Sequence, residues 1–192
     1  MQYILIIGLA LLSNNIVFSQ TLGICPYLGV SKKTDTAVGM GLAVIFVMGI
    51  TSLLTYAVYM WALVPLKIEF MRTIVFIFLI AGVVQLLEIV IKKFARPLYN
   101  GLGIYLPLIT VNCAVLGTAI INLTSPNVTN IFGAFLNGVF VGAGFLLALV
   151  LMSGVRERIG TADVPQPFKG FPIALVSAAI IAMAFMVFAG MF

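Results

Sequence analysis

Histidine is absent from the 192-residue chain. That excludes acid–base work by imidazole within it, and histidine-ligated haem or zinc. Charge is scarce as well. Asp, Glu, Lys and Arg make up 8% of the residues, against roughly a quarter in soluble domains. There is no long polar stretch from which to build a soluble domain, so any cytoplasmic catalytic apparatus must lie on other chains. Cysteine occurs only as Cys25 and Cys113. Two thiolates fall short of the four that usually hold an iron–sulfur cluster.

Apolar residues fill the rest. They make up 63% of the chain, and its mean hydropathy is strongly positive. These values predict an all-α integral membrane protein with a single membrane domain, residues 1–192. A spanning helix needs roughly 20 apolar residues, and backbone groups at membrane depth must be satisfied internally. Six stretches qualify, at about residues 3–21, 37–63, 73–91, 102–123, 131–155 and 171–192. Residues 1–20 are read as a retained span, because they lack a basic start and Ser13-Asn14-Asn15 interrupts the apolar run.

The loops predict the orientation. Lys32, Lys33, Lys92, Lys93, Arg96, Arg156, Arg158 and Lys169 follow odd-numbered spans, whereas only Lys67 and Arg72 follow an even-numbered one. Basic residues mark cytoplasmic loops, so both termini fall outside. The net charge of +5 is then a topology signal, and no nucleic-acid partner is expected. Tyr59 and Trp61 fall near the outer end of the second span, where an aromatic belt is expected.

Two short stretches stand out. Cys25-Pro-Tyr-Leu-Gly29 and Cys113-Ala-Val-Leu-Gly117 both read C-x-x-L-G. Gly23, Pro26 and Gly29 surround the first; Gly101, Gly103 and Pro107 precede the second. A proline removes a helix hydrogen bond and clashes with the preceding turn. The first and fourth helices are therefore expected to be kinked or broken, the first near Cys25. Gly39-Met-Gly41 and Gly142-Ala-Gly144 extend the likeness between the halves, about 1–96 and 97–192. Three spans per half give a 3+3 inverted-topology repeat.

On residues alone, three readings of the cysteines stand: small packing residues, a disulfide, or half of a soft-metal site. In the last, Cys25 and Cys113 meet near the pseudo-axis and an inverted homologous partner supplies two more ligands. Glycines 23, 29 and 117 permit close backbone approach or close helix packing. Glu88 is expected to pair locally with Lys92 at i+4. Asn14, Asn15, Gln85 and Asn112 are polar at depth; they would line an ion path, orient the cysteine loops or bridge helices. Arg156-Glu-Arg158 reads as an interfacial anchor or a docking point for a cytoplasmic subunit.

The run from Leu22 through Cys25 to Lys33 resembles the A-type membrane component of the Rnf electron-transport complex. So do Asn14-Asn15, Pro97-Leu-Tyr99, the run from Leu102 to Gly117, Val155-Arg-Glu-Arg158 and Ala162-Asp-Val-Pro165. The E subunit of the sodium-translocating NADH:quinone oxidoreductase is similar but fits less well at Cys25-Pro26 and in the short loop between spans two and three. The resemblance implies six spans in the bacterial cytoplasmic (inner) membrane. It implies a homologous Rnf E subunit of opposite topology, and a mid-membrane [2Fe-2S] cluster held by Cys25, Cys113 and two cysteines of that partner. The B, C, D and G subunits complete the complex, with flavins and other iron–sulfur clusters on those chains. The whole passes electrons between ferredoxin and NAD, coupled to Na⁺ or H⁺ movement, with no complete active site in this chain. Rival readings are a cofactor-free secondary transporter, which inverted repeats and broken helices also suit, and a structural subunit with inert cysteines.

Overall fold

The computed structural model describes residues 15–66, 69–94, 106–124, 128, 130–161, 165 and 168–189. Most of the predicted first span, Asn14, Pro97-Leu-Tyr99, the start of the fourth span, Ala162-Asp-Val164 and the side chain of Lys92 lie outside them, and with Lys92 the expected Glu88 pair.

The described chain is helical throughout. Its helices are α1 (Ile16–Ser19), α2 (Ile24–Gly29), α3 (Thr34–Val58), α4 (Arg72–Phe94), α5 (Leu106–Thr110), α6 (Cys113–Thr124), α7 (Ile131–Gly160) and α8 (Phe171–Ala189). A π-helical turn, Tyr59–Leu63, continues α3. It lies just ahead of Pro65, whose missing N–H removes a rung from the helical ladder. With that turn the helix covers Thr34–Leu63, and it and Ile131–Gly160 are each 30 residues long and apolar enough to cross a bilayer. At about 1.5 Å per residue each exceeds a hydrocarbon core about 30 Å thick. Shorter apolar helical stretches run over Arg72–Leu86, Leu108–Thr124 (interrupted at Val111 and Asn112) and Phe171–Val187.

Helices α3 and α7 form the centre, packed antiparallel through glycines. A Cβ on Gly41 would strike Leu146, and one on Gly142 would come 2.8 Å from the Cα of Ile45. Further along, one on Gly138 would lie 2.7 Å from the carbonyl oxygen of Met48, and one on Gly49 would lie 3.1 Å from Phe135. Small residues let backbones approach where lipid offers no hydrophobic drive for association. The first two contacts are reciprocal. Gly41 and Ile45 on α3 occupy the roles of Gly142 and Leu146 on α7, an interval of 101 residues in each case. Val44, Met48, Phe145 and Leu149, all fully buried, obey the same interval. Gly39 has open space where its Cβ would be. The glycine register thus sets Gly41 in correspondence with Gly142.

The outer faces are apolar. Phe78 on α4 and Met186 and Val187 on α8 are exposed, as is Trp61 at 90%. Faces of this kind on a single chain are suited to lipid or to other subunits. Gln85 is exposed on the same outer side of α4, so it does not bridge helices within the core.

Candidate metal centre at two helix breaks

The first break lies between α1 and α2. Thr21 has φ +54° and Gly23 has φ +81°, left-handed values that glycine adopts without the Cβ clash. Pro26 does not make this break. It is the third residue after the Gly23 cap, in the first turn of α2, where its absent N–H would have lacked a helical partner anyway. The expected break near Cys25 thus falls upstream of it, and proline starts the cysteine helix. Pro107 is likewise the second residue of α5, and the second break follows at Val111 and Asn112.

Asparagines organise the starts of both broken segments. The Asn15 side-chain oxygen accepts the N–H of Val17 at 3.1 Å and so caps α1. Its amide donates to the carbonyl of Gly144 on α7 at 2.8 Å. Asn112 caps α6 in the same way, accepting the N–H of Ala114 at 3.0 Å. Its side-chain nitrogen is buried and has no hydrogen-bond partner among the described residues. An unmet donor of this kind costs about 1–3 kcal/mol.

The breaks touch. The backbone N–H of Gly23 donates to Cys113 Sγ at 2.9 Å. A Cβ on Gly23 would meet Phe145 at 2.6 Å, Ala114 at 3.1 Å and the Asn112 side-chain oxygen at 3.4 Å. One on Gly117 would strike Leu22. Gly23 and Gly117, flanking different cysteines, therefore hold the two segments together. Gly29 is looser, its Cβ position 3.7 Å from Leu108 on α5.

Both cysteines are free thiols, so no disulfide joins them. Cys113 is half-buried and begins α6; Cys25 is exposed, in the first turn of α2. No group of three or more His, Cys, Asp or Glu converges among the described residues. The donor set fits half of a four-thiolate site. It offers two soft ligands, an N–H already on one sulfur, an unspent amide N–H on the residue before Cys113, and one thiol open to a neighbouring chain.

Residue patterns alone did not reveal one support. Arg156 turns inward rather than serving as an anchor at the surface. Its guanidinium donates to the carbonyl of Leu28 at 2.6 Å and to the hydroxyl of Ser31 at 3.0 Å. It thereby satisfies an orphan carbonyl at the C-terminal end of the Cys25 helix, where positive charge is favoured. A second polar contact, Asn137 to Asn122 at 2.5 Å, joins α7 to α6. The sequence shows asparagines there but not their pairing.

Comparison with known proteins agrees over the whole chain. A family model described as "Rnf-Nqr subunit, membrane protein" matches residues 3–192. The A component of the Na⁺-translocating ferredoxin:NAD⁺ oxidoreductase complex of Acetobacterium woodii is 52% identical over 191 residues, covering 100% of this chain and 98% of that protein. The A components of ion-translocating oxidoreductase complexes from Glaesserella parasuis and Hahella chejuensis are 50% and 48% identical, each over 99% of this chain and 97% of the relative. With a full-length family match and relatives near half identity, this chain belongs to the Rnf-Nqr family of membrane subunits.

Proposed function

We propose that this chain is the A-type membrane subunit of an Rnf ion-translocating oxidoreductase complex, and that Cys25 and Cys113 contribute half of the ligands of a [2Fe-2S] cluster. The other two thiolates would come from a homologous subunit of opposite topology. The Gly23 N–H on Cys113 Sγ carries the reading, because it joins the break just ahead of the first C-x-x-L-G stretch to the sulfur of the second. Exposure of Cys25 leaves that ligand accessible to a second chain. When bound, such a cluster accepts and releases single electrons within the bilayer. The chain's own part is to hold two ligands at fixed helix starts, to donate N–H groups to sulfur, and to keep water away with apolar helices.

The finer architecture belongs to the same proposal: six spans in a 3+3 inverted repeat, with the first and fourth broken. Reciprocal contacts of Gly41 with Leu146 and Gly142 with Ile45 support it, since a two-fold relation makes each residue meet its partner's counterpart. The complex would link ferredoxin and NAD to Na⁺ or H⁺ movement; the name of the Acetobacterium woodii relative states Na⁺ translocation and ferredoxin:NAD⁺ oxidoreduction for its own complex.

The test is made in the co-expressed complex. C25S and C113S should each abolish one [2Fe-2S] electron paramagnetic resonance signal and lower the iron content, while the lone subunit should carry no stable cluster. An unchanged signal in both variants removes the cysteines from the site. Stoichiometric cluster in the lone chain removes the partner.

A further inference from the structure

We propose that the side-chain amide of Asn112 donates a hydrogen bond to a sulfur of the cluster and so raises its reduction potential; this rests on the cluster reading above. Asn112 is 4% exposed. Its oxygen is committed to the cap of α6, accepting the N–H of Ala114 at 3.0 Å. Turning the amide over would set its NH₂ against that N–H, so the cap assigns the two ends. The nitrogen is therefore the unspent end, and it has no partner among the described residues.

Asn15 shows what the same cap looks like when both ends serve the fold. Its oxygen takes the N–H of Val17, and its nitrogen reaches the carbonyl of Gly144 at 2.8 Å. Asn112 makes the first bond and lacks the second. In hydrocarbon surroundings no water is at hand to take the spare donor. Such a group implies an acceptor that the described residues do not supply.

The position says which acceptor. Asn112 directly precedes Cys113, and its oxygen lies 3.4 Å from where a Cβ on Gly23 would sit. The Gly23 N–H is itself on Cys113 Sγ. The amide group that carries the spare donor thus lies against the Gly23 segment, whose N–H a sulfur already collects. Cluster sulfurs are anionic acceptors, and their negative charge grows on reduction. N–H donors stabilise the reduced form more than the oxidised one and raise the potential.

The experiment uses the intact complex. N112S and N112T keep a hydroxyl able to cap α6 and remove the amide donor. Redox titration followed by electron paramagnetic resonance should show the signal that depends on Cys25 and Cys113 at a lower midpoint in both. In the parent complex, asparagine labelled with ¹⁵N at its side-chain amide should give a hyperfine coupling to the reduced cluster, and N112S should lose it. The labelled parent decides the question even if both variants fail to assemble. A missing coupling, or a midpoint equal to the parent's, overturns the role of Asn112 and leaves the cluster reading standing. Absence of any signal dependent on Cys25 and Cys113 in the parent overturns the cluster reading itself.

Discussion

Arg156 and Leu28, 128 positions apart in sequence, are joined by a guanidinium-to-carbonyl hydrogen bond of 2.6 Å. Leu28 lies three residues after Cys25, so the bond ties the cysteine helix to α7, half of the central pair. R156M should cost about 1.5–3 kcal/mol of stability, the range for a hydrogen bond to a charged group. R156K should fall between, since a single nitrogen, Nη1, serves both Leu28 and Ser31, and an ammonium keeps the charge and several N–H donors on a shorter side chain. Thermal unfolding of the purified complex measures the loss. Faster maleimide labelling of Cys25 in the isolated R156M chain would report a loosened α2; labelling at the parent rate would detach Arg156 from the cysteine.

The central glycines should differ in their tolerance of a methyl group. G142A drives a Cβ against the Ile45 backbone at 2.8 Å, and overpacking of this kind costs about 1–3 kcal/mol. G41A meets only the Leu146 side chain, which can rotate away, so its cost should be smaller. G39A enters open space and should be neutral or gain up to about 1 kcal/mol from helix propensity. Melting temperatures in the order G39A, G41A, G142A, highest first, are expected. Equal values for the last two would contradict the close helix contact.

Glu157 joins the two ends of the central pair. Its carboxylate, exposed two residues past the apolar run ending at Val155, accepts the backbone N–H of Thr34 at 2.9 Å. That bond first, and the Thr34 hydroxyl second, hold the carboxyl below its ordinary value. A group lowered on folding stabilises the fold above its unfolded-state value, and that contribution is lost as pH falls through the folded-state one. Hydrogen exchange at the Thr34 amide should therefore lose protection below the usual carboxylate range. E157Q keeps an acceptor without the charge and should show a protection factor that is flat with pH. Parallel profiles would refute the contact.

The distribution of basic residues predicts the orientation. Lys32, Lys33, Arg156 and Arg158 share one side of the bilayer in this reading. A periplasm-active alkaline phosphatase fused to the C-terminus should be active in intact cells. A well-inserted but inactive fusion would reverse the assignment.

Much of the candidate site was legible in the sequence. Repetition of C-x-x-L-G singles out Cys25 and Cys113 as the candidate ligands, and nearby glycines and prolines imply helix breaks. The agent of the first break was not legible. Proline breaks a helix only when a preceding turn exists for it to clash with, and Pro26 sits in a first turn where none does. The left-handed backbone of Thr21 and Gly23 makes the break instead. Arg156 looks like a surface anchor because it adjoins Glu157 and Arg158, and those two are indeed exposed. A helix turns successive side chains about 100° apart, and only packing decides which of them faces inward.

By itself the sequence determined that this chain lies in a membrane, that its apolar segments are helical, and that two cysteines are its only thiols. Those conclusions follow from composition, and from the rule that apolar runs of bilayer length must satisfy their own hydrogen bonds. Tertiary structure alone decided that Gly23 and Cys113 meet across the two breaks, that Gly41 meets Leu146 as Gly142 meets Ile45, and that Asn112 keeps a donor to spare among the described residues. Hydropathy acts residue by residue and survives in the one-dimensional pattern. A hydrogen bond between positions 90 residues apart depends on how helices are placed in space, and no local pattern encodes it.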